Sequence, residues 1–254
     1  MKLSSSLAVI ASLIHLVPTT VALVGSRWSM TNAPLTGLLD ITFPMTIVEA
    51  DHISGYYFAQ QFSFVGIREI GYTGLQPRPD SNGNAVLHAA FSSFAAGTTT
   101  TDKNCSPGAN GGPGVSCSVE WNGVYNRTYN LEVRTTGNHN WVGTAIDTVT
   151  GTEVQIGSWT LPVISGGILS CQAGFVEWYA AEPPCAKLPY QQTIFGDPST
   201  THAGSVGTQS LSFEYGDCVG QVAFHTGAVA YGVENNCGFR GQTGSADVTF
   251  VVQS

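Results

Sequence analysis

Tyr129-Asn-Leu-Glu-Val-Arg134 sets apolar Tyr129, Leu131 and Val133 against polar Asn130, Glu132 and Arg134. A period of two belongs to an extended chain whose successive side chains point to opposite faces, one buried and one wet. The rhythm spreads both ways from there. Upstream, Tyr56, Phe58, Gln60, Phe62 and Phe64 share one face of a second segment. Downstream, Trp141 to Val149 and Thr152 to Leu161 read as two strands around a Thr150-Gly151 hairpin turn. Leu211, Phe213 and Tyr215, then Val222 and Phe224, then Val248, Phe250 and Val252 carry it to the end. No segment longer than about ten residues keeps a helical period free of Gly, Pro or β-branched clusters. The pattern predicts an all-β fold, an antiparallel β-sandwich or jelly roll.

Composition narrows the function classes. Only 10% of the 254 residues are charged, against roughly a quarter in an average soluble domain. With 12 Phe, 9 Tyr and 5 Trp the chain is too aromatic for a disordered one. Nine basic residues against 17 acidic ones, a net charge of −8, exclude the basic footprint that nucleic acid requires. Helical bundles are excluded by the scarcity of Glu, Lys and Arg beside 30 Gly.

The first residues read as an address. Met1-Lys2, the apolar run Leu7 to Val17, Pro18 and the small-residue end Thr20-Val21-Ala22 form a secretory signal over residues 1–22. Residues 23–254 are then a single secreted β-sandwich domain, soluble and without a membrane span, ending on a strand at Val248 to Ser254. Six cysteines suit an oxidising compartment and allow fifteen connectivities. Proximity favours Cys105–Cys117, Cys171–Cys185 and Cys218–Cys237 as a disulfide framework. Asn126-Arg-Thr128 and Asn104-Cys-Ser106 are N-glycosylation sequons, so Asn126 and Asn104 mark a glycoprotein.

Two stretches read as loops. Thr98 to Cys117 is Gly-rich, but no Lys-Ser/Thr and helix follow to cradle a phosphate. Ala181 to Thr201, with Glu182-Pro-Pro-Cys-Ala-Lys and Phe195-Gly-Asp-Pro, reads as a connection between the halves of the sandwich.

Chemistry is sparse. Gly-x-Ser-x-Gly and His-Glu-x-x-His are both missing. His52, His88, His139, His202 and His225 have no ligand spacing and no Asp-rich loop suggests calcium, so neither a metal nor a cofactor is expected. Glu49 and Asp51 read as solvated charge. Glu177, set between aromatics in Gly174-Phe-Val-Glu-Trp-Tyr179, and Glu120, beside Trp121, are the candidate catalytic carboxylates. Trp121, Tyr125, Trp141 and His139, with the amides of Asn122, Asn138 and Asn140, are candidate glycan-binding residues. Rings pack on the C–H faces of sugars, and amides meet their hydroxyls.

Gly55-Tyr-Tyr-Phe-Ala-Gln-Gln-Phe-Ser-Phe64, Gly71-Tyr-Thr-Gly-Leu-Gln76 and Val86-Leu-His-Ala-Ala-Phe-Ser-Ser-Phe94 lead on to Tyr129 to Arg134, Trp141 to Trp159, Phe175-Val-Glu177 and Phe195-Gly-Asp197. Over roughly residues 50 to 200 this series resembles the secreted domain-of-unknown-function family numbered 3472. The resemblance implies a lectin-like β-sandwich and no catalytic residue. The Cys-rich part, about 171–237, reads as this chain's own elaboration. The expectation is a secreted, non-catalytic protein contacting extracellular or cell-wall polysaccharide. The alternatives are a carboxylate-dependent glycan-cleaving enzyme, hydrolase or lyase, and a secreted structural or host-interacting protein.

Overall fold

A computed structural model describes residues 21–180 and 185–241. In chain order its strands are β1 Val21–Met30, β2 Asp40–Ala50, β3 Tyr56–Ser63, β4 Ile70–Ser81, β5 Asn84–Ser93, β6 Cys105–Ala109, β7 Gly112–Asn122 and β8 Thr128–Gly137. They continue with β9 Asn140–Asp147, β10 Glu153–Thr160, β11 Cys171–Trp178, β12 Gln191–Gly196, β13 Gly207–Glu214, β14 His225–Val229 and β15 Gly232–Cys237. The one helical element among the described residues is a 3-10 turn, Cys185–Lys187. Tyr129, Leu131 and Val133 of β8 are buried and the residues between them are not, as their alternation requires.

Two antiparallel sheets form a sandwich. One has eight strands, in the order β13-β1-β11-β3-β4-β5-β7-β6, and the other seven, β10-β9-β8-β2-β12-β15-β14. Aromatic pairs tie the layers together. Trp28 of β1 meets Phe43 of β2 edge-on at 5.2 Å, and Phe91 of β5 stacks on Trp159 of β10 at 4.5 Å. Trp28, Trp159, Phe43 and Phe91 are almost fully buried. Truncating such a side chain to Ala costs about 3–5 kcal/mol, because lost transfer energy is joined by an unfilled cavity.

The eight-stranded sheet also carries a second, smaller cluster on its outer face. Tyr57, Ala59, Ala90 and Phe175 are buried there, with Tyr72, Tyr179 and Tyr215 packed against them. The outer face of a two-layer sandwich ordinarily meets water, so this aromatic coat marks the face that holds the site.

Several sequence expectations need correction or a boundary. The stretch Thr98 to Cys117, read as a loop, contains β6 and the first half of β7, paired as a hairpin. The stretch Ala181 to Thr201 is more than a connection: it contains β12, hydrogen-bonded on both sides to β2 and β15 in the middle of its sheet. Gln191, Thr193 and Phe195 of β12 are buried, and six residues between Pro-containing flanks are too few to announce such a strand. The leader at 1–22 falls outside the described residues except for Val21 and Ala22, which open β1. The terminal strand read at Val248 to Ser254 also lies outside the described residues.

Cys105 and Cys117 are bonded as expected, directly opposite each other in the β6–β7 hairpin. The other two pairings are wrong. Cys185 is bonded to Cys218, while Cys171 and Cys237 are free thiols. Cys171 begins β11, and an eight-residue strand carries the chain about 25 Å away before it turns toward Cys185. A disulfide needs Cα atoms within about 7 Å. Cys237 is buried and accepts a hydrogen bond from Gln191 Nε2 at 3.1 Å.

Candidate active site

The outer face is organised by register. Glu177 on β11 stands opposite Tyr57 on β3. Phe58 stands opposite Leu75, which places Tyr57 opposite Gln76 on β4. Gln76 faces His88 on β5, and His88 faces Glu120 on β7. Directly opposed residues of antiparallel strands share a face. Glu177, Tyr57, Gln76, His88 and Glu120 therefore form one line across five strands. Both candidate carboxylates lie in it, at opposite ends.

Four strand spacings separate those ends by about 19 Å. Paired-carboxylate cleavage of a glycosidic bond needs about 5–10 Å. Glu177 and Glu120 do not make such a pair.

The Glu120 end is closed by its own partners. Arg78 Nε donates to Glu120 Oε1 at 2.9 Å, and His88 Nδ1 lies 3.1 Å from the same oxygen. Burial works against the Glu120 charge, but the bonds from Arg78 and His88 together hold its carboxyl below the usual range. Burial and then the Arg78 charge push His88 down to about 4. With Glu120 ionised, the His88 hydrogen belongs on Nδ1. Arg78 also donates from Nη1 to the Tyr179 hydroxyl at 2.7 Å and from Nη2 to Gln76 Oε1 at 2.7 Å. That fixes the amide of Gln76: its oxygen faces the guanidinium, and its NH2 is left without an acceptor among the described residues.

The Glu177 end is the reverse. Its carboxyl has no hydrogen bond or ion pair among the described residues, and burial alone pushes it up to about 7. Tyrosines surround it. A charge on Glu177 adds to the burial that raises Tyr57 and Tyr72 and that pushes Tyr215 up to about 12. Tyr57 packs edge-on against Tyr72 at 5.3 Å and Phe175 at 5.6 Å, and its hydroxyl is buried without a partner.

One row along, Phe175, Ala59, Gly74 and Ala90 succeed one another across the strands. Small residues there keep the floor low. At Gly74 a Cβ would lie 2.1 Å from Phe58 O and 2.8 Å from Tyr57 Cε2, so glycine is what lets the Tyr57 ring lie down. On the other side of Phe175 the face opens into a groove of about 760 Å³, whose lining includes Gly25, Arg27, Gln61, Ala173, Phe213 and Tyr215.

The predicted glycan platform does not assemble. Trp141 is 2% exposed and packs on Phe64 in the core. It sits opposite Thr135, whereas Tyr129 is opposite Asp147 at the other end of β8 and β9, about 20 Å away. Trp121 meets Tyr129 edge-on. The Tyr125 hydroxyl donates to Val86 O, and its ring stacks on His52. His139 Nδ1 lies 3.0 Å from Ser165 O. Asn126 is exposed in the turn before β8, with a left-handed φ of 60°. Asn104 Nδ2 donates to Gln155 O.

Sequence reasoning found Glu177 and Glu120 but missed Gln76, Arg78, Tyr57, Tyr72 and Tyr215. One signal was present: the alternation that put Tyr56, Phe58 and Gln60 inward puts Tyr57, Ala59 and Gln61 on the opposite face. Among the described residues no three His, Cys, Asp or Glu gather to hold a metal ion, and no helix is long and apolar enough to cross a membrane.

No protein-family model matches the chain, and no curated protein matches it. Solved structures do. Scytalido-glutamic peptidase with a transition state analog inhibitor matches with a TM-score of 0.46 and 12% identity, over 87% of this chain and 99% of that one. SCP-B, a member of the eqolisin family of peptidases, in complex with the tripeptide Ala-Ile-His, matches with a TM-score of 0.41 and 10% identity over the same shares. At such identity the likeness concerns the fold. The expectation of a non-catalytic, glycan-contacting protein is corrected here: the ring platform that carried it is dispersed, with Trp141 buried in the core far from Tyr129.

Proposed function

We propose that this chain is a secreted, carboxylate-dependent hydrolase of amide bonds, peptides being the natural class. The observation that carries the reading is Glu177. It is an unpaired carboxyl on an open sheet face, sheltered by tyrosines, and poised at about 7 to take or give a proton near neutrality. Hydrolysis of an amide, unlike that of a glycoside, can proceed with one such group and a hydrogen-bond donor for the oxyanion.

Gln76 supplies the donor. It lies in the same row two strands away, about 10 Å between backbones, with Tyr57 between them. Ionised Glu177 takes a proton from water as the water oxygen bonds to the scissile carbonyl carbon. The carbonyl electron pair moves onto its oxygen, which accepts from Gln76 Nε2. Protonated Glu177 then gives its proton to the amide nitrogen as the C–N bond breaks. Arg78 holds the amide for this by occupying its oxygen.

Secretion belongs to the same reading. It is supported by the leader pattern at 1–22 and by two disulfides, and the exposed Asn126 is the position that would carry a glycan. The test is digestion of an unfolded protein substrate by the full chain from a secretory host, with new peptide ends read by mass spectrometry. Cleavage that vanishes in Glu177→Gln, with circular dichroism unchanged, is the expected result. An absence of cleavage from pH 4 to 9 overturns the reading.

A further inference from the structure

The groove beyond Phe175 contains a feature that amide hydrolysis does not use. Arg27 on β1 stands opposite Ala173 on β11. Gly174 stands opposite Gln60, which places Ala173 opposite Gln61 on β3. Arg27, Ala173 and Gln61 thus form a row of their own on the outer face, and all three line the groove. The middle member is a methyl group, so the row has a notch with a long donor side chain on each side.

Both donors are idle. The Arg27 guanidinium has no hydrogen bond or ion pair among the described residues, and neither has the Gln61 amide. Arg78, Arg127, Arg134 and Arg240 have a carboxylate partner within the chain; Arg27 and Arg68 have none among the described residues, and of these two Arg27 lines the groove. Among the described residues Arg27 is also the single charged one lining the groove, in a chain that carries 17 acidic residues against nine basic. An exposed guanidinium and an amide NH2 two strands apart, about 10 Å between backbones, flank a small floor over which a carboxylate accepts from both at once. Apolar walls flank the notch. Phe175 separates it from Glu177, and the Phe213 ring lies on Gly25, where a Cβ would come within 2.9 Å of it.

Distance gives the position a meaning. From Ala173 to Glu177 is four residues along β11, about 13 Å, the span of about four residues of an extended peptide. We infer that the notch between Arg27 and Gln61 is a carboxylate-binding subsite, selecting substrates that carry a carboxylate three to four residues from the bond cleaved, with an apolar side chain against Phe175 and Phe213. That carboxylate is either the C-terminus of a short peptide or an acidic side chain. The inference rests on the hydrolase reading for its chemistry, but the subsite itself is a matter of binding.

Three peptides of one length and core sequence test it. One ends in a free carboxylate, one in a C-terminal amide, and one is amidated but carries Glu three residues beyond the scissile bond. The carboxylate peptides should exceed the plain amide about tenfold in kcat/KM, the size of one charge-assisted bond. The better of the two identifies the source. In Arg27→Gln the ratio should fall to about one, and in Arg27→Glu it should invert. Ala173→Leu, which fills the notch and keeps the charge, should also abolish the preference. High salt should weaken the preference, since Arg27 is exposed.

Equal rates on all three peptides, or a preference that survives Arg27→Gln, overturns the inference. Titration calorimetry of the same peptides with the Glu177→Gln protein separates the two readings. Selective binding without turnover in the parent chain retains the subsite and removes the hydrolase, and turnover without selectivity does the opposite.

Discussion

Glu120 and Glu177 are the same residue type, on the same face, at the two ends of one row of paired strands. One is surrounded by donors and held in its charged form, and the other is surrounded by rings and held near neutrality. The difference comes from neighbours that share no sequence proximity with either. Arg78 reaches Glu120 from two strands away, and Tyr57, Tyr72 and Tyr215 converge on Glu177 from β3, β4 and the segment after β13. A carboxylate with satisfied lone pairs is a structural ion. A carboxyl whose only influence is desolvation keeps an exchangeable proton.

The contrast is most severely tested by removing each carboxyl in turn. Glu177→Gln should lower peptide kcat/KM by a hundredfold or more, the scale of a lost general base. Glu120→Gln should cost no more than about tenfold, through looser support of Arg78. Steady-state kinetics on one peptide decides it, and equal losses would erase the distinction drawn between the two ends.

Arg78→Ala comes next in size. It frees Glu120 to return toward an ordinary carboxyl and lets the Gln76 amide turn, so kcat should fall about tenfold while KM changes less. NMR titration should show the Glu120 carboxyl moving upward in this variant and Glu177 still titrating near 7.

Stability should carry opposite pH signatures from the two ends. Glu177 is raised from 4.5 to about 7, so its neutral form is favoured by the fold. Stability from this group is greatest at and below pH 4.5 and declines by about 3 kcal/mol as pH rises through 7. His88 is lowered from 6.5 to about 4. Its contribution is fully present above pH 6.5 and is lost, by a similar amount, as pH falls to 4. Between pH 4.5 and 6.5 the two slopes oppose each other. Relative to the parent, unfolding free energy should rise with pH in Glu177→Gln and fall with pH in His88→Gln, measured by denaturant titration. Activity should rise as pH passes upward through 7, because the proposed reaction begins with ionised Glu177.

The smallest effect is expected at Tyr57, whose buried hydroxyl has no partner. Tyr57→Phe removes an unpaid desolvation and should stabilise the fold by about 1 kcal/mol, visible as a modest rise in Tm.

Much of this was legible beforehand, unevenly. The period of two at Tyr129 to Arg134 is a local property, and it gave the sheet and its buried face correctly. Glu177 stood out because a carboxyl between Phe175, Trp178 and Tyr179 is either the polar face of an edge or a site residue, and the strands beside β11 decide which. Gln76 and Arg78 did not stand out, since nothing in Leu75 to Arg78 reveals that β5 and β7 will bring His88 and Glu120 alongside. The cysteines show the same limit from another side. Cys105 and Cys117 belong to one hairpin and pair by proximity, but Cys171 and Cys185 are neighbours in sequence that a single extended strand carries far apart.

Alternation and turn residues were enough to determine the all-β class and its two layers, because each depends on residues within a few positions of one another. The row that aligns Glu177 with Gln76, the tyrosines that shelter it and the idle donors at Arg27 and Gln61 were decided only by the tertiary structure. Each depends on the order and register in which distant strands pair, and a shift of one residue would turn every one of those side chains to the other face.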